Sequence, residues 1–247
     1  MRKYEISTIG DFHLNHNEDS FSVNEISDSK LMISVMDGCS MGKESHFAST
    51  LISKILRKRC KEIGYREFAE KTEKGIKSYL RELIEQLFND LGRIKNELNL
   101  ETEEVLSTLI LSILDLEKKE IEIVTIGDGV ICCNGILHEY EQGDKPDYLG
   151  YHLNEDFKAW FEKQKQRLSF KDVKDISLST DGIFTFKNFD DKEYEFISDQ
   201  QIIEFLLIDD KWQENEMMLK KKILEIENKN GLRPSDDLTI VRVKVEE

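Results

Sequence analysis

The chain has 247 residues, 39% of them hydrophobic, enough to bury a sizeable core and too apolar for a disordered chain. Lysine and arginine sum to 35 against 50 aspartates and glutamates, so the net charge is 35 − 50 = −15, which argues against binding nucleic acid or an anionic membrane surface. No apolar run approaches the ~18 residues that cross a bilayer, and no apolar stretch follows Met1-Arg2-Lys3-Tyr4-Glu5, so neither a membrane span nor a secretory signal is expected.

Residues 4–9 and 21–26 read as short strands, and 31–36 (LMISVM) as a buried one. From Ser45 the period changes. Phe47, Leu51 and Ile55 fall at i, i+4 and i+8, with Ala48, Ile52 and Leu56 beside them, which is one face of a helix. A second helix is expected over 76–98, its apolar stripe running through Tyr79, Leu83, Leu87, Leu91 and Ile94. Strands return at 107–114 and at 120–126, where Glu and Ile alternate with period two. Segments 130–133 and 136–138 flank Asn134-Gly135, a strong hairpin signal. A helical stretch near 157–168 and a strand at 176–180 (ISLST) follow. Helices at 199–208 and 216–228 lead to a β-branched strand at 238–245 (LTIVRVKV). The only prolines are Pro146 and Pro234, and neither a linker nor an internal repeat interrupts the chain, so one domain is expected over 1–247. Strands joined by tight turns, with helices inserted in blocks, predict an α+β fold of antiparallel sheets with helices on their outer faces.

The informative pattern is where certain carboxylates fall. Asp37-Gly38 follows LMISVM, Gly127-Asp128-Gly129 follows the strand at 120–126, and Asp181-Gly182 follows ISLST. Asp236-Asp237 precedes LTIVRVKV, and Asn17-Glu18-Asp19 lies between the first two strands. Each Asp-Gly alone is an ordinary turn dipeptide. Together they can converge at one sheet edge, where clustered carboxylates repel unless a cation neutralises them. Oxygen-only donors select hard Mg²⁺ or Mn²⁺. A carboxylate bridging two such ions, ~3.5–4 Å apart, is a common arrangement for hydrolysing phosphate esters.

In order, Asn17-Glu18-Asp19, Asp37-Gly38, Ser107-Thr108, Gly127-Asp128-Gly129, Ser179-Thr180-Asp181-Gly182 and Ser235-Asp236-Asp237 resemble the motifs of the metal-dependent serine/threonine phosphatases of type 2C. The ordered set of six, spanning roughly 8–245, carries the resemblance; no member does alone. It implies a four-layer αββα sandwich with two central antiparallel sheets and a binuclear Mg²⁺/Mn²⁺ site that hydrolyses phosphoserine or phosphothreonine. By that resemblance Asp37 bridges both ions, the Gly38 carbonyl and Glu18 serve one, and Asp181 and Asp236 serve the other. Asp128 matches the position that holds a third, weaker ion in bacterial members. Asp19 and Asp237 stand behind the ligands, with an exchange of roles between Asp236 and Asp237 left open. The implied partners are a phosphorylated protein substrate and a cognate Ser/Thr kinase, in the cytoplasm.

Two positions depart from the family pattern. Leu14 stands where many members carry a phosphate-gripping Arg, and Ser40 replaces the second Gly of D-G-x-G. His13, three residues after Gly10, resembles a bacterial subgroup with His before the acidic pair and becomes a candidate substrate contact; the insert at 144–156 suits the same subgroup. The missing Arg also keeps open a catalytically weak or inactive relative that binds phosphoprotein in regulation. An interaction domain whose Asp-Gly pairs are only turns is the third reading, and it predicts no stabilisation by metal. Gly38 to Lys43 is too short between its glycines for a nucleotide-binding phosphate loop and lacks Ser/Thr after the Lys. Cys39, Cys60, Cys132 and Cys133 form no zinc spacing and read as reduced thiols.

Overall fold

A computed structural model describes residues 1–143, 146–190 and 192–245. The first half runs β1 (Arg2–Thr8), β2 (Ser20–Ser27), β3 (Lys30–Met36), α1 (His46–Glu70), α2 (Ile76–Glu97), β4 (Leu109–Asp115), β5 (Glu120–Ile126), β6 (Gly129–Cys133) and β7 (Ile136–Tyr140). The second runs α3 (Phe157–Lys163), β8 (Arg167–Phe170), β9 (Asp175–Ser179), β10 (Phe186–Asn188), α4 (Asp199–Leu207), α5 (Met218–Asn230), β11 (Leu232–Pro234) and β12 (Leu238–Lys244). Two five-stranded antiparallel sheets result, ordered β1-β12-β9-β6-β7 and β2-β3-β4-β5-β8, with β10 and β11 as a separate small pair.

Alternation along the strands explains the layering. In β3, Leu31, Ile33 and Val35 face the other sheet and pack with Ile131, Leu178, Val241 and Val243. Met32 and Met36 face outward onto α1 and α2, where Ile52, Leu56, Leu83 and Leu87 complete a second core. On the other sheet, Val130, Cys132, Leu238 and Ile240 face α4 and α5 through Ile203, Leu206 and Leu219. Three apolar interfaces between four layers make the expected αββα sandwich, because a sheet with two apolar faces must be covered on both.

The hairpin at Asn134-Gly135 forms as its residues dictate, with positive φ at both (50° and 82°). The helix expected over 157–168 is shorter. Leu168 keeps helical phase with Phe157 and Phe161, but the chain turns extended at Gln164, and Arg167–Phe170 pairs with β5 as the edge strand β8. Part of the insert at 144–156, namely Asp144 and Lys145, lies outside the described residues. The four cysteines are free and buried. Among the described residues, no helix is long and apolar enough to cross a membrane.

Candidate active site

Asp37 emerges where the fully buried β3 ends, and its position is fixed by the start of β4. The Asp37 carbonyl accepts the Thr108 N–H at 2.9 Å, and its own N–H donates to Thr108 Oγ1 at 3.1 Å. Gly38 bridges to Ser107 and donates its N–H to the Glu18 carbonyl. A Cβ at Gly38 would strike the Ser45 carbonyl oxygen, so only glycine allows this approach of the chain to α1. Glu18 is thereby tied to Asp37 across 19 residues of sequence, and Ser40 Oγ donates to Glu18 Oε2 at 2.7 Å. The residue that departs from the family's glycine thus orients a carboxylate.

The C-terminal half supplies the opposite wall. Asp181 follows β9, and Asp236 lies just before β12, which pairs with β9. Thr185 couples the two: its hydroxyl donates to the Gly182 carbonyl at 2.8 Å and accepts the Asp236 N–H at 3.1 Å. Asp128 sits between Gly127 and Gly129, whose φ of +90° and +131° put the turn out of reach of L side chains.

Glu18, Asp37, Gly38, Asp128, Asp181 and Asp236 all line one cavity of about 340 Å³ at the sandwich edge. Every residue proposed from sequence as a ligand is therefore on its wall. Ser40, Tyr140, Glu141, Tyr148 and Thr185 line it too, and sequence reasoning did not select them. Only Ser40 had left a signal, as a departure from the D-G-x-G pattern. Among the described residues, no Lys, Arg or His lines the cavity.

The acidic pair at 236–237 divides its work. Asp237 is buried, its Oδ1 accepting the Gly10 N–H at 2.8 Å and its Oδ2 accepting the Glu18 N–H. Asp236 keeps a half-exposed carboxylate facing the cavity. His13 lies against both, 2.9 Å from Asp237 Oδ2 and 3.5 Å from Asp236 Oδ1, and is not on the cavity wall. Leu14 projects into solvent, 89% exposed. Asp19 is buried behind the wall, where one oxygen accepts the Thr180 hydroxyl at 2.6 Å and Oδ1 has no hydrogen-bond partner.

Electrostatics follow from this arrangement. Burial, then the charges of Asp19, Asp181 and Asp236, hold the Asp37 carboxyl well above the usual carboxylate range. Burial, then Asp128 and Asp236, push Asp181 up to about 7. Burial also raises Asp19 and Asp128. The residues fit a hard divalent cation: the donors are all oxygen, no protein cation lines the cavity among the described residues, and Asp19 Oδ1 is a buried acceptor without a donor. Among the described residues, no three His, Cys, Asp or Glu side chains already stand close enough together to hold one ion.

An acid-lined cavity at the edge of two packed antiparallel sheets defines a class of hard-cation sites, and comparison with known proteins makes the class specific. The sequence model of the protein phosphatase 2C family matches residues 10–213, and the chain belongs to that family. No curated protein is matched by sequence. Among solved structures, the fold is similar to a serine/threonine phosphatase of S. agalactiae (16% identity, 99% of each chain covered, TM-score 0.63). It is also similar to the serine/threonine phosphatase Stp1 of Staphylococcus aureus (13% identity, 99% of this chain and 95% of that one, TM-score 0.60). A third similar structure is RsbX in complex with magnesium (14% identity, 99% and 94%, TM-score 0.53). The protein is a phosphatase domain of the 2C class.

Proposed function

We propose that the protein, acting as one domain over 1–247, hydrolyses phosphoserine or phosphothreonine in proteins with a pair of Mg²⁺ or Mn²⁺ ions. One observation carries this reading: six carboxylates line a single cavity where, among the described residues, no protein cation compensates them, and burial works against the ionisation of Asp37, Asp128 and Asp181. Isolated turns give no reason for such convergence. Asp37, Glu18 and the Gly38 carbonyl would hold one ion, Asp37, Asp181 and Asp236 the other, and Asp128 with Asp181 a third, weaker one. Bound ions would supply a water acidic enough to serve as nucleophile near neutral pH and positive charge facing the phosphoryl oxygens.

The chain's own residues supply position. Thr108 and Ser107 fix Asp37, Ser40 aims Glu18, Thr185 ties the Asp181 segment to Asp236, and Asp237 joins both ends of the chain behind the wall. The half-exposed Asp236 carboxylate, and not Asp237, is free to turn to a ligand. His13 covers the buried Asp237, which gives it a positioning role toward the acidic pair in place of a direct grip on substrate. A cytoplasmic location and a cognate kinase partner belong to this reading as well.

Hydrolysis of a small aryl phosphate tests it. Turnover is expected with millimolar Mn²⁺ or Mg²⁺ and is expected to vanish in excess EDTA, with Asp37→Asn lowering it by several orders of magnitude. Equal turnover in EDTA would end the metal reading. No turnover under any metal, with metal-induced stabilisation retained, would favour the regulatory, inactive relative.

A further inference from the structure

The cavity is acidic and the chain carries −15, so an anionic substrate approaches against the field unless local cations receive it. The family's usual Arg is absent, and Leu14 points into solvent. Cations do occur beside the cavity, on a lip built from three short segments. Thr185 lines the cavity and leads directly into β10, and β10 pairs with β11 (Phe186 with Pro234, Lys187 with Arg233). The turn at 10–13 lies on the end of β11, with the Asp11 N–H donating to the Pro234 carbonyl and the Phe12 N–H to the Ser235 carbonyl.

These contacts put Phe12, 64% exposed, edge-on to Phe189 at 5.8 Å. Lys187 Nζ stands 5.1 Å from the Phe12 ring, and the Arg233 guanidinium 5.3 Å from the Phe189 ring. Asp11 already neutralises Arg233 at 2.6 Å. Lys187 is exposed, and among the described residues no carboxylate lies within ion-pair distance of it. An exposed Phe12 against the half-buried Phe189, topped by a cation without a carboxylate partner among the described residues and two positions from the cavity wall, is an unusual surface on a chain this acidic.

We propose that this lip seats the polypeptide of the substrate and selects phosphoproteins that carry an acidic residue close to the phosphorylated one. The proposal rests on the phosphatase reading for what enters the cavity. Charge complementarity commits it to an acidic peptide, since Lys187 offers an exposed positive charge that no described carboxylate pairs, beside Arg233 already neutralised by Asp11. Geometry sets the spacing. Lys187 stands two positions along the chain from Thr185, a rise of about 7 Å, and an extended peptide covers the same distance in about two residues. The acidic residue is therefore expected two or three positions from the phosphoresidue, with the aromatic pair meeting an apolar neighbour.

The test uses fluorescent phosphothreonine peptides with Glu, Ala or Lys at two and three positions to either side. Binding is read by anisotropy and hydrolysis by phosphate release, at low salt, where an exposed charge pair is least screened. The Glu peptide is expected to bind and turn over roughly two- to fivefold better than the Ala peptide. Lys187→Ala removes that preference, and Lys187→Glu turns it toward the Lys peptide. Both variants keep wild-type hydrolysis of a small aryl phosphate and wild-type melting temperature, because position 187 is solvent-exposed. A wild type without acidic preference, or a Lys187→Glu variant that retains it, overturns the proposal. A concentration-dependent dimer broken by Phe12→Ser, with no peptide preference, would also overturn it and assign the lip to a second copy. If aryl phosphate is never cleaved while binding still follows the charge at 187, the catalytic reading fails and the docking surface stands.

Discussion

Removing the Asp181 charge while keeping its shape probes the acid-lined cavity without any substrate. The carboxyl is pushed up to about 7 by burial and by Asp128 and Asp236, so the folded chain holds a proton there that the unfolded chain releases near pH 4. For a carboxylate with a raised folded-state pKa, stability is intact below the unfolded value. It is lost as pH climbs from about 4 to about 7. A rise of about three units at ~1.4 kcal/mol each gives a destabilisation of roughly 4 kcal/mol above pH 7. At pH 5 only about a third of it has developed. Asp181→Asn removes the titration, so in EDTA the variant is expected to gain on wild type by about 2–3 kcal/mol more at pH 8 than at pH 5. At ~2–4 °C per kcal/mol for a domain of this size, the gap in Tm widens by roughly 5–10 °C. Millimolar Mn²⁺ narrows the gap at pH 8. Wild type gains about 2.7 kcal/mol at 100 times Kd, and the variant, lacking a proposed ligand, gains much less. Thermal unfolding followed by circular dichroism at pH 5, 6.5 and 8, with and without metal, reads every arm. A Tm gap independent of pH, or equal metal shifts in the two proteins, would refute the reasoning.

Three further substitutions separate the roles assigned to other residues. Ser40→Ala deletes the 2.7 Å hydrogen bond to Glu18 and, at about 1–1.5 kcal/mol for a partly exposed bond to a charged group, should raise the Mn²⁺ concentration for half-maximal activity roughly five- to tenfold; an unchanged titration would show that Glu18 needs no such help. His13→Ala should likewise raise the metal requirement and leave the KM for aryl phosphate within about twofold, since His13 touches Asp236 and Asp237; a changed KM at saturating metal would make it a substrate contact. Arg242→Met strands the Asp175 carboxylate and the carbonyls of Ile208 and Asp209, all now held by a fully buried guanidinium, and should cost about 3–5 kcal/mol in urea unfolding; a loss under 1 kcal/mol would mean water replaces it.

Much of this architecture is written in local patterns. Leu31–Met36 reads as a doubly buried strand because every residue in it is apolar or small, and the helix at 76–98 because its stripe is regular over five turns. The convergence of carboxylates was legible for one reason: each sits where a strand leaves the core, and antiparallel strands of two packed sheets bring their ends to a common edge. Residues 167–170 were not legible, because Leu168 and Phe170 satisfy a strand's period while Leu168 also extends the helical phase of Phe157 and Phe161. β10 and β11 are three-residue strands, too short to show a period, and they exist through pairing with each other. Thr185 and Tyr148 reach the cavity by folding of distant segments, and nothing in their neighbourhoods announces it.

The tandem Asp236-Asp237 illustrates how the site depends on chain ends meeting. Asp237 accepts the N–H groups of Gly10 and Glu18, more than 200 residues away in sequence, so the loop carrying Glu18 is positioned by the same dipeptide that offers Asp236 to the cavity. β1 pairs with β12 along its whole length, from Arg2 with Lys244 to Thr8 with Leu238, which delivers that loop to Asp237 in fixed register. A slip of one residue would turn Asp237 outward and bury Asp236 against the Gly10 turn, because successive side chains alternate faces. Strand register thus bears on the exchange of roles between the two aspartates that the sequence leaves open: the residue adjoining β12 accepts backbone N–H groups, and the one before it lines the cavity.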